Sequence, residues 1–429
     1  MIPGRLRSFE ALARTNDANP SSETGRFLPP YMEAPETLFT PPVGKANSSA
    51  PRTRISRRAV APNLSTPIPR SSFMALEDND RAIPPDTQGA IGPNHLMTTL
   101  NSQVRIQNRT GATVSTVSLR QFWTNLVDNV EDTFDPRVHY DIQAGRWIFI
   151  TIANGRSVDS AVLAAVSETS DPTGNWYGFK IPGDPDGLYW ADFPYIGVNS
   201  KWIAVSTTLF SVSANKFGLS RIYLLNKDSV YSNGAVPFAV KSFDDEGGSN
   251  LALSIDYDGN QPNLYLVSSF NGNSSGKGFL RMCTLEGAIG SEVYSGGTEF
   301  PAVSSTWGAR SSPQDIAPQL GTDSRINNGD HRISSSIALR NGALWFCHNV
   351  FLPADVPTRS SIQWWELDLT GSIRQFGRID DPSGSRFYAF PSLAVNKNND
   401  LLIGYSRFAA DQFVSANYSF RAATDPIET

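Results

Sequence analysis

Residues 135–154 read DPRVHYDIQAGRWIFITIAN, and the fold follows from them. The apolar run Val138–Tyr140 leads through turn residues Gln143–Gly145 into Trp147–Ile152, an alternating, β-rich stretch. The segment therefore predicts a hairpin with a short inner strand and a longer second one. The same formula recurs as AIGPNHLMTTLN from Ala90, YIGVNSKWIAVSTTLF from Tyr195, LSIDYDGNQPNLYLVSSF from Leu253, IALRNGALWFCHNVF from Ile337 and LAVNKNNDLLIGYSRF from Leu393. In each, small or apolar residues run into Asn/Gly/Asp turn chemistry and then into an apolar stretch ending in a polar residue or Phe. Copies at a spacing of roughly 50–80 residues define a repeat whose length suits a four-stranded blade.

Each hairpin is followed by a third strand, a Gly-containing turn and a fourth strand. The first continues SQVRIQN–RTGA–TVSTVSL, the second SAVLAAVSE–TSDPTGN–WYGFKI and the fifth SIQWWELD–LTGS–IRQFGRI. The expected fold is all-β, a propeller of four-stranded antiparallel blades over residues 71–429. Six repeat units are visible, giving six blades, or seven with the last one missing. Stacked sandwiches also use four-stranded units, but small residues at Ala90, Gly92, Gly197, Ala338 and Ala394 favour inner strands converging on a channel. Leu119–Leu126 (LRQFWTNL) carries helical periodicity between the first two repeats. The sixth repeat supplies ANYSFRAA and then no fourth strand. Ser71–Glu77 (SSFMALE) is the segment expected to pair there and close the ring.

Residues 1–70 differ in composition, with Pro, Ser, Thr and Arg abundant and PPY, TPP and PIP triplets breaking regular structure. A short helix is expected at Leu6–Arg14, with the remainder extended or disordered. This segment carries a net charge of +5 and the rest −10, for −5 overall. The Arg52–Arg58 run (RTRISRR) lacks interleaved aromatics for base stacking, so it reads as solvated linker, and no nucleic-acid partner is expected. Hydrophobic residues make up 40% of the 429-residue chain and charged ones 18%, enough apolar material for a substantial core. No apolar run reaches the length of a membrane span, and the N-terminus lacks the apolar centre of a signal peptide. Cys283 and Cys347 lie in strands of different repeats and read as small buried hydrophobes.

Several blocks carry a resemblance: PPDTQGAIGPNHLMTTLNSQVRIQ (Pro84–Gln107), DPRVHYD with GRW, SDPTGNW, WADFPYIGVN and ANYSFRAATDP. With these the chain resembles a group of uncharacterised, mostly secreted bacterial propeller-like proteins, over about residues 72–426. That resemblance implies a propeller fold and an extracellular or envelope location, and no established activity. More distantly, TSDPTGNW (Thr169–Trp176) is similar to the Asp box of sialidase-type propellers, with the Gly displaced by one position. That motif shapes an outer turn and carries no catalytic role.

In a propeller, the links entering the inner strands share one face with the loops between second and third strands, and ligands bind there. Asp86, Asp135, Asp192 and Asp330 occupy such entry positions, with Arg137 and Arg332 two residues after two of them. Their carboxylates and guanidiniums suit a cation or an acidic sugar, or catalytic carboxylates. They equally suit turn capping and ties between blades. His331 stands between Asp330 and Arg332, where a general base would be placed; His139 reads as a packed inner-strand residue. No metal-ligand His spacing, nucleophile elbow or phosphate-binding Gly loop is present. GDPDG (Gly183–Gly187) and DYDGN (Asp256–Asn260) are acidic enough to allow a structural calcium ion without completing an EF-hand loop, and no other cofactor is expected. Trp190 and Trp307, in links at this face, are candidate ring-stacking residues for a glycan or anchors for a protein partner.

The leading expectation is a binding propeller that presents this face to a glycan or protein. A polysaccharide lyase or glycoside hydrolase using the Asp/Arg/His set is the competing one. A structural module of a larger surface protein is the third.

Overall fold

The computed structural model describes residues 2–9, 11, 66–233, 239–299, 301–308 and 315–426. The Arg52–Arg58 run lies outside them. The chain is all-β, of propeller type, built from antiparallel blades, and it divides into two compact units. Arg70–Asn250 belongs to the first, together with the described residues before position 12; 66–69 and the residues from Leu251 onward belong to the second.

In the first unit, β1 (Ile2–Ser8) precedes three meanders. Blade 1 is β2 (Gln88–Ile91), β3 (His95–Thr99), β4 (Gln103–Asn108) and β5 (Thr113–Ser118). Helix α1 (Leu119–Thr124) follows, capped by the Ser118 hydroxyl, which accepts from the Gln121 N–H. Blade 2 is β6 (Thr133–Asp141), β7 (Arg146–Ala153), β8 (Ala161–Ser167) and β9 (Asn175–Pro182). Blade 3 is β10 (Tyr189–Val198), β11 (Trp202–Ser211), β12 (Phe217–Asn226) and, after helix α2 (Lys227–Tyr231), β13 (Lys241–Asp245).

Residues 6–8 were expected to open a helix; they are instead the end of β1, which pairs antiparallel with the outer strand β9. An open sheet edge offers unpaired N–H and C=O groups, and pairing there outweighs the weak local preference for helix. Just beyond, Phe9 is fully buried against Phe122 of α1, ring centroids 5.9 Å apart, in a core that also holds Trp123, Phe149 and Trp176.

The second unit holds blade 4, made of β14 (Ala252–Asp256), β15 (Leu264–Ser274), β16 (Lys277–Glu286), β17 (Val293–Glu299) and the two-residue β18 (Ala302–Val303). A hairpin follows, β19 (Asp315–Gln319) with β20 (Thr322–Asn327). Blade 5 is β21 (Ile337–Arg340), β22 (Ala343–Leu352), β23 (Arg359–Asp368) and β24 (Ile373–Ile379). Blade 6 has three strands among the described residues, β25 (Phe387–Val395), β26 (Leu401–Ala409) and β27 (Gln412–Arg421). The inner strands β14 and β21 run parallel and hydrogen-bonded, Ser254 opposite Ile337.

Inner strands are not uniformly short. Strands β6, β10 and β25 are long, and each is broken by a register shift at an X-Pro pair: Asp135–Pro136, Phe193–Pro194 and Phe390–Pro391. The residue before each proline has positive φ, 53°, 48° and 54° respectively. Proline removes a ladder donor and the left-handed residue turns the chain, so each strand carries a bulge at its entry.

Outer turns share a second device. Asn108, Asp171, Asp368 and Asp381 open Asn/Asp-x-Thr/Ser-Gly turns, and one Oδ1 accepts both the N–H and the hydroxyl of Thr110, Thr173, Thr370 or Ser383. The Asp171 turn belongs to the TSDPTGNW segment. Its Trp176 is fully buried and donates Nε1–H to the Pro172 carbonyl at 2.8 Å.

Ser71–Glu77 does not extend blade 6. It lies along β4, whose Gln103, Arg105 and Gln107 donate side-chain N–H groups to the carbonyls of Glu77, Ala75 and Met74, at 3.2, 2.8 and 3.0 Å. Alternate residues of a strand share a face, so three long donors in register grip this segment without any backbone ladder. On β27, the Phe420 N–H donates to Thr66 Oγ1 (3.4 Å) and the Tyr418 hydroxyl to the Pro67 carbonyl (2.5 Å).

A buried polar knot fixes the far end of β6. Lys227 and Tyr231, one helical turn apart on α2, both reach Asp141 Oδ2, Nζ at 2.7 Å and the hydroxyl at 2.8 Å. Lys227 also donates to the Asn199 carbonyl at 2.9 Å. Burial alone raises the Asp141 pKa; hydrogen bonding and charge from Lys227 reverse this and hold it below the carboxylate norm.

Candidate functional site

In the first unit the bulged entry strands bring Asp86, Asp135 and Asp192 together. Asn101, just past the end of β3, sits at the centre. Its Nδ2 donates to Pro84 O (2.9 Å) and Asp86 Oδ2 (2.8 Å), and its Oδ1 accepts the Asp135 N–H at 2.7 Å. The Asp135 Oδ2 accepts the Phe193 N–H at 3.2 Å. Phe193 N–H also meets Asp192 Oδ1 at 3.0 Å. Asp86 and Asp135 both have positive φ, 47° and 53°. Burial, followed by the nearby charges of Asp86 and Asp192, raises the Asp135 pKa well above the usual carboxylate value, with Arg137 opposing. Arg137 lies over the Tyr195 ring, 5.2 Å from its centroid.

These contacts run between consecutive blades: blade 1 to blade 2 through Asn101, and blade 2 to blade 3 through Asp135. Asp192 is 1% exposed and Asp135 9%, while Asp86 and Arg137 are half-buried. The cluster therefore acts as a blade tie, with Asp86 and Arg137 at its accessible edge.

The second unit repeats the device. Asn349 of β22 donates Nδ2 to Asn328 O (2.9 Å) and accepts the Phe390 N–H on Oδ1 (3.0 Å), as Asn101 does with Pro84 and Asp135. Asp330 is ion-paired to Arg332 and also accepts the Arg332 N–H at 2.9 Å. Burial would raise the Asp330 pKa, but the Arg332 charge and hydrogen bond keep it below the usual range. His331 Nδ1 is 2.9 Å from Ser269 Oγ, and its carbonyl lies 2.8 Å from Nδ1 of the buried His348. Burial lowers the His348 pKa to about 3, so its ring is neutral. Beside this group the Phe390 ring is 51% exposed, and a Cβ built on Gly329 would meet its edge at 3.1 Å.

Two expected ligand contacts are corrected. Trp190 is fully buried, stacked on Phe210 at 5.3 Å, with Nε1 donating to Asn215 Oδ1. Trp307 is also fully buried, edge-on to His348 and Trp365, with Gly272 and Gly278 leaving room for it: a Cβ at Gly278 would come within 2.0 Å of the indole. All nine tryptophans are at most 3% exposed, because their large apolar area is worth more in the core than at a rim. His139 is 8% exposed and burial lowers its pKa to about 4, the packed inner-strand residue expected.

Among the described residues no three His, Cys, Asp or Glu side chains converge as a metal group. Asp184 instead pairs with Arg221 at 2.9 Å, and Asp256 caps its own turn through the N–H groups of Asp258, Gly259 and Gln261.

Reading the sequence did not single out Asn101, Asn349 or Phe390. Signals for them exist. The entry strands share FDPR, DFPY and AFPS, and an Asn stands in LNS and HNV around the ends of second strands.

No protein-family model matches the sequence, and no curated protein is detectably similar to it. Solved structures similar to it include the endo-arabinase of Bacteroides thetaiotaomicron, 15% identical over 68% of this chain and 95% of that one, TM-score 0.35. Trypanosoma rangeli sialidase with sialic acid is 10% identical over 79% of this chain and 54% of that one, TM-score 0.36. A Synechocystis apocarotenoid oxygenase mutant is 10% identical over 79% and 74%, TM-score 0.41.

Proposed function

We propose that this protein is an extracellular or envelope-associated propeller that binds a glycan at the entry-link face of its second unit. The observation that carries the reading is Phe390. Phe390, 51% exposed and at φ 54°, is held by Asn349 and lies against Gly329, the residue that leads into Asp330, His331 and Arg332. The left-handed backbone costs a non-glycine residue about 1–2 kcal/mol, and an exposed ring forgoes burial. Strain and exposure together at a fixed position suit a ligand clamp. A sugar ring offers an apolar face to Phe390 and hydroxyls to the charged pair and the imidazole.

Binding is favoured over hydrolysis at this patch. Asp330 is kept ionised by Arg332, so it is a hydrogen-bond acceptor rather than a proton donor at neutral pH.

The test is a glycan array followed by calorimetry on any hit, with a reducing-end and unsaturated-uronate assay run alongside. Phe390→Ala should weaken binding at least about fivefold, about 1 kcal/mol, with no product formed by either chain. Absence of binding across the array, or equal affinity of Phe390→Ala, refutes the reading. Product formation by the native chain moves it to the enzyme class.

A further inference from the structure

We propose that Ser269 and His331 form a nucleophile–base pair that hydrolyses acyl esters at the entry-link face of the second unit. Strand β15 is buried from Leu264 to Ser268, and Ser269 is its first half-buried residue. The ladder to β16 pairs Ser269 with Leu280 and then Asn271 with Phe279, so Phe270 is the extra residue of a bulge. Bulges bend a strand and re-aim its side chains. This one begins at the hydroxyl, which stands between a buried Ser268 and a buried Phe270.

His331 reaches that hydroxyl from the link before β21, with Nδ1 2.9 Å from Oγ. The link is pinned behind it, because the His331 carbonyl oxygen accepts from Nδ1 of the buried His348 at 2.8 Å. The histidines differ by environment. His139 and His348 are buried, and desolvation lowers their pKa values to about 4 and about 3, so neither takes up a proton at neutral pH. His331 is half-buried, and its charge acts on Asp330, after burial and Arg332 in size. A neighbouring carboxylate favours the imidazolium that forms when Nδ1 takes the serine proton.

The steps balance with water as the second reactant. Ser269 Oγ attacks the ester carbonyl carbon while its proton passes to His331 Nδ1. The bond from that carbon to the alcohol oxygen breaks, and the alcohol leaves with the proton, so Ser269 holds the acyl group. Water then gives a proton to Nδ1 as its oxygen attacks the acyl carbon. The carboxylic acid is released when Oγ leaves and recovers its proton. One imidazole moves every proton. Asp330, kept ionised by Arg332, supplies none, so ester cleavage fits this patch and glycosidic cleavage does not. An alkoxide also leaves more readily than an amide nitrogen, which sets esters ahead of amides. The inference needs no bound glycan and stands apart from the glycan-binding reading.

The experiment measures p-nitrophenyl acetate hydrolysis by the full chain and, separately, labelling by a fluorophosphonate, located by peptide mass spectrometry. Turnover should fall at least about hundredfold in Ser269→Ala and in His331→Gln, the scale that a positioned base contributes. The label should fall on Ser269 of the native chain. Labelling requires no substitution, so it decides the matter even if a variant does not fold. Turnover unchanged in Ser269→Ala overturns the proposal, as does a native chain no faster than buffer. A label confined to other residues overturns it too, and so does a labelled Ser269 in a chain that turns over no ester.

Discussion

Replacing Lys227 with Met tests what holds the far end of blade 2. The ammonium lies 2.7 Å from Asp141 Oδ2, with side-chain exposures of 9% and 3% for the pair. Removing one partner of a buried ion pair typically costs about 3–5 kcal/mol, because the other charge is left uncompensated. Here Asp141 retains the Tyr231 hydroxyl and the N–H groups of Gln143 and Ala144, which places Lys227→Met near the lower end, about 3 kcal/mol. For a unit of this size each kcal/mol moves Tm by roughly 2–4 °C, so the first unit should melt roughly 6–12 °C lower. The assay is thermal unfolding together with hydrogen exchange on β6 and β12, repeated for Asp141→Asn and the double variant. A coupling energy of about 2 kcal/mol or more is expected from the cycle. The pH dependence provides a second check. Asp141 has a depressed folded pKa, so its contribution is present above pH 3.8 and is lost as pH falls through the lower folded value. Lys227→Met should remove that acid sensitivity. A melting change under 1 °C, or independent single-site effects, would refute the reasoning.

Asn101→Ala and Asn349→Ala should each cost about 1–3 kcal/mol, since each leaves a neighbouring blade's N–H without its acceptor; chemical denaturation measures this, and a neutral result for both would mean the ties contribute nothing. Trp307→Ala should destabilise the second unit by about 3–5 kcal/mol, because the ring is fully buried; a folded, unshifted variant would return Trp307 to the ligand-facing set. Acid should destabilise both units between pH 6.5 and the lowered His139 and His348 values of about 4 and about 3, with a slope of up to about 1.4 kcal/mol per pH unit for each. His139→Gln should abolish that slope in the first unit only, as read by exchange on β7, and an unchanged slope would assign the acid response elsewhere.

The hairpins, the helix after β5 and the Asp171 turn were legible in the sequence because each depends on local chemistry: period-two alternation, a Ser cap, an Asx turn. What escaped reading depends on partners distant in sequence. Ile2–Ser8 carries no strand pattern of its own and is ordered by the open edge of β9. Trp190 and Trp307 sit in stretches that read as surface links, yet tertiary packing buries them. The entry aspartates were recognised as a recurring set, but their local sequence does not say that Asn101 would draw them into hydrogen bonds. Phe390 was hidden because an exposed aromatic and a buried one look alike within a strand pattern; the following proline was the sign that the backbone turns there.

The grip of β4 on residues 74–77 has an informational consequence. Gln103, Arg105 and Gln107 engage carbonyl oxygens, which every residue type presents alike. The instruction for docking this segment is therefore written in the receiving strand and hardly at all in the docked one. The exposed side chains of Met74 and Glu77 can be exchanged as long as the backbone path survives, whereas a change at Arg105 removes one of the three bonds, and no new side chain on the strap supplies that donor again.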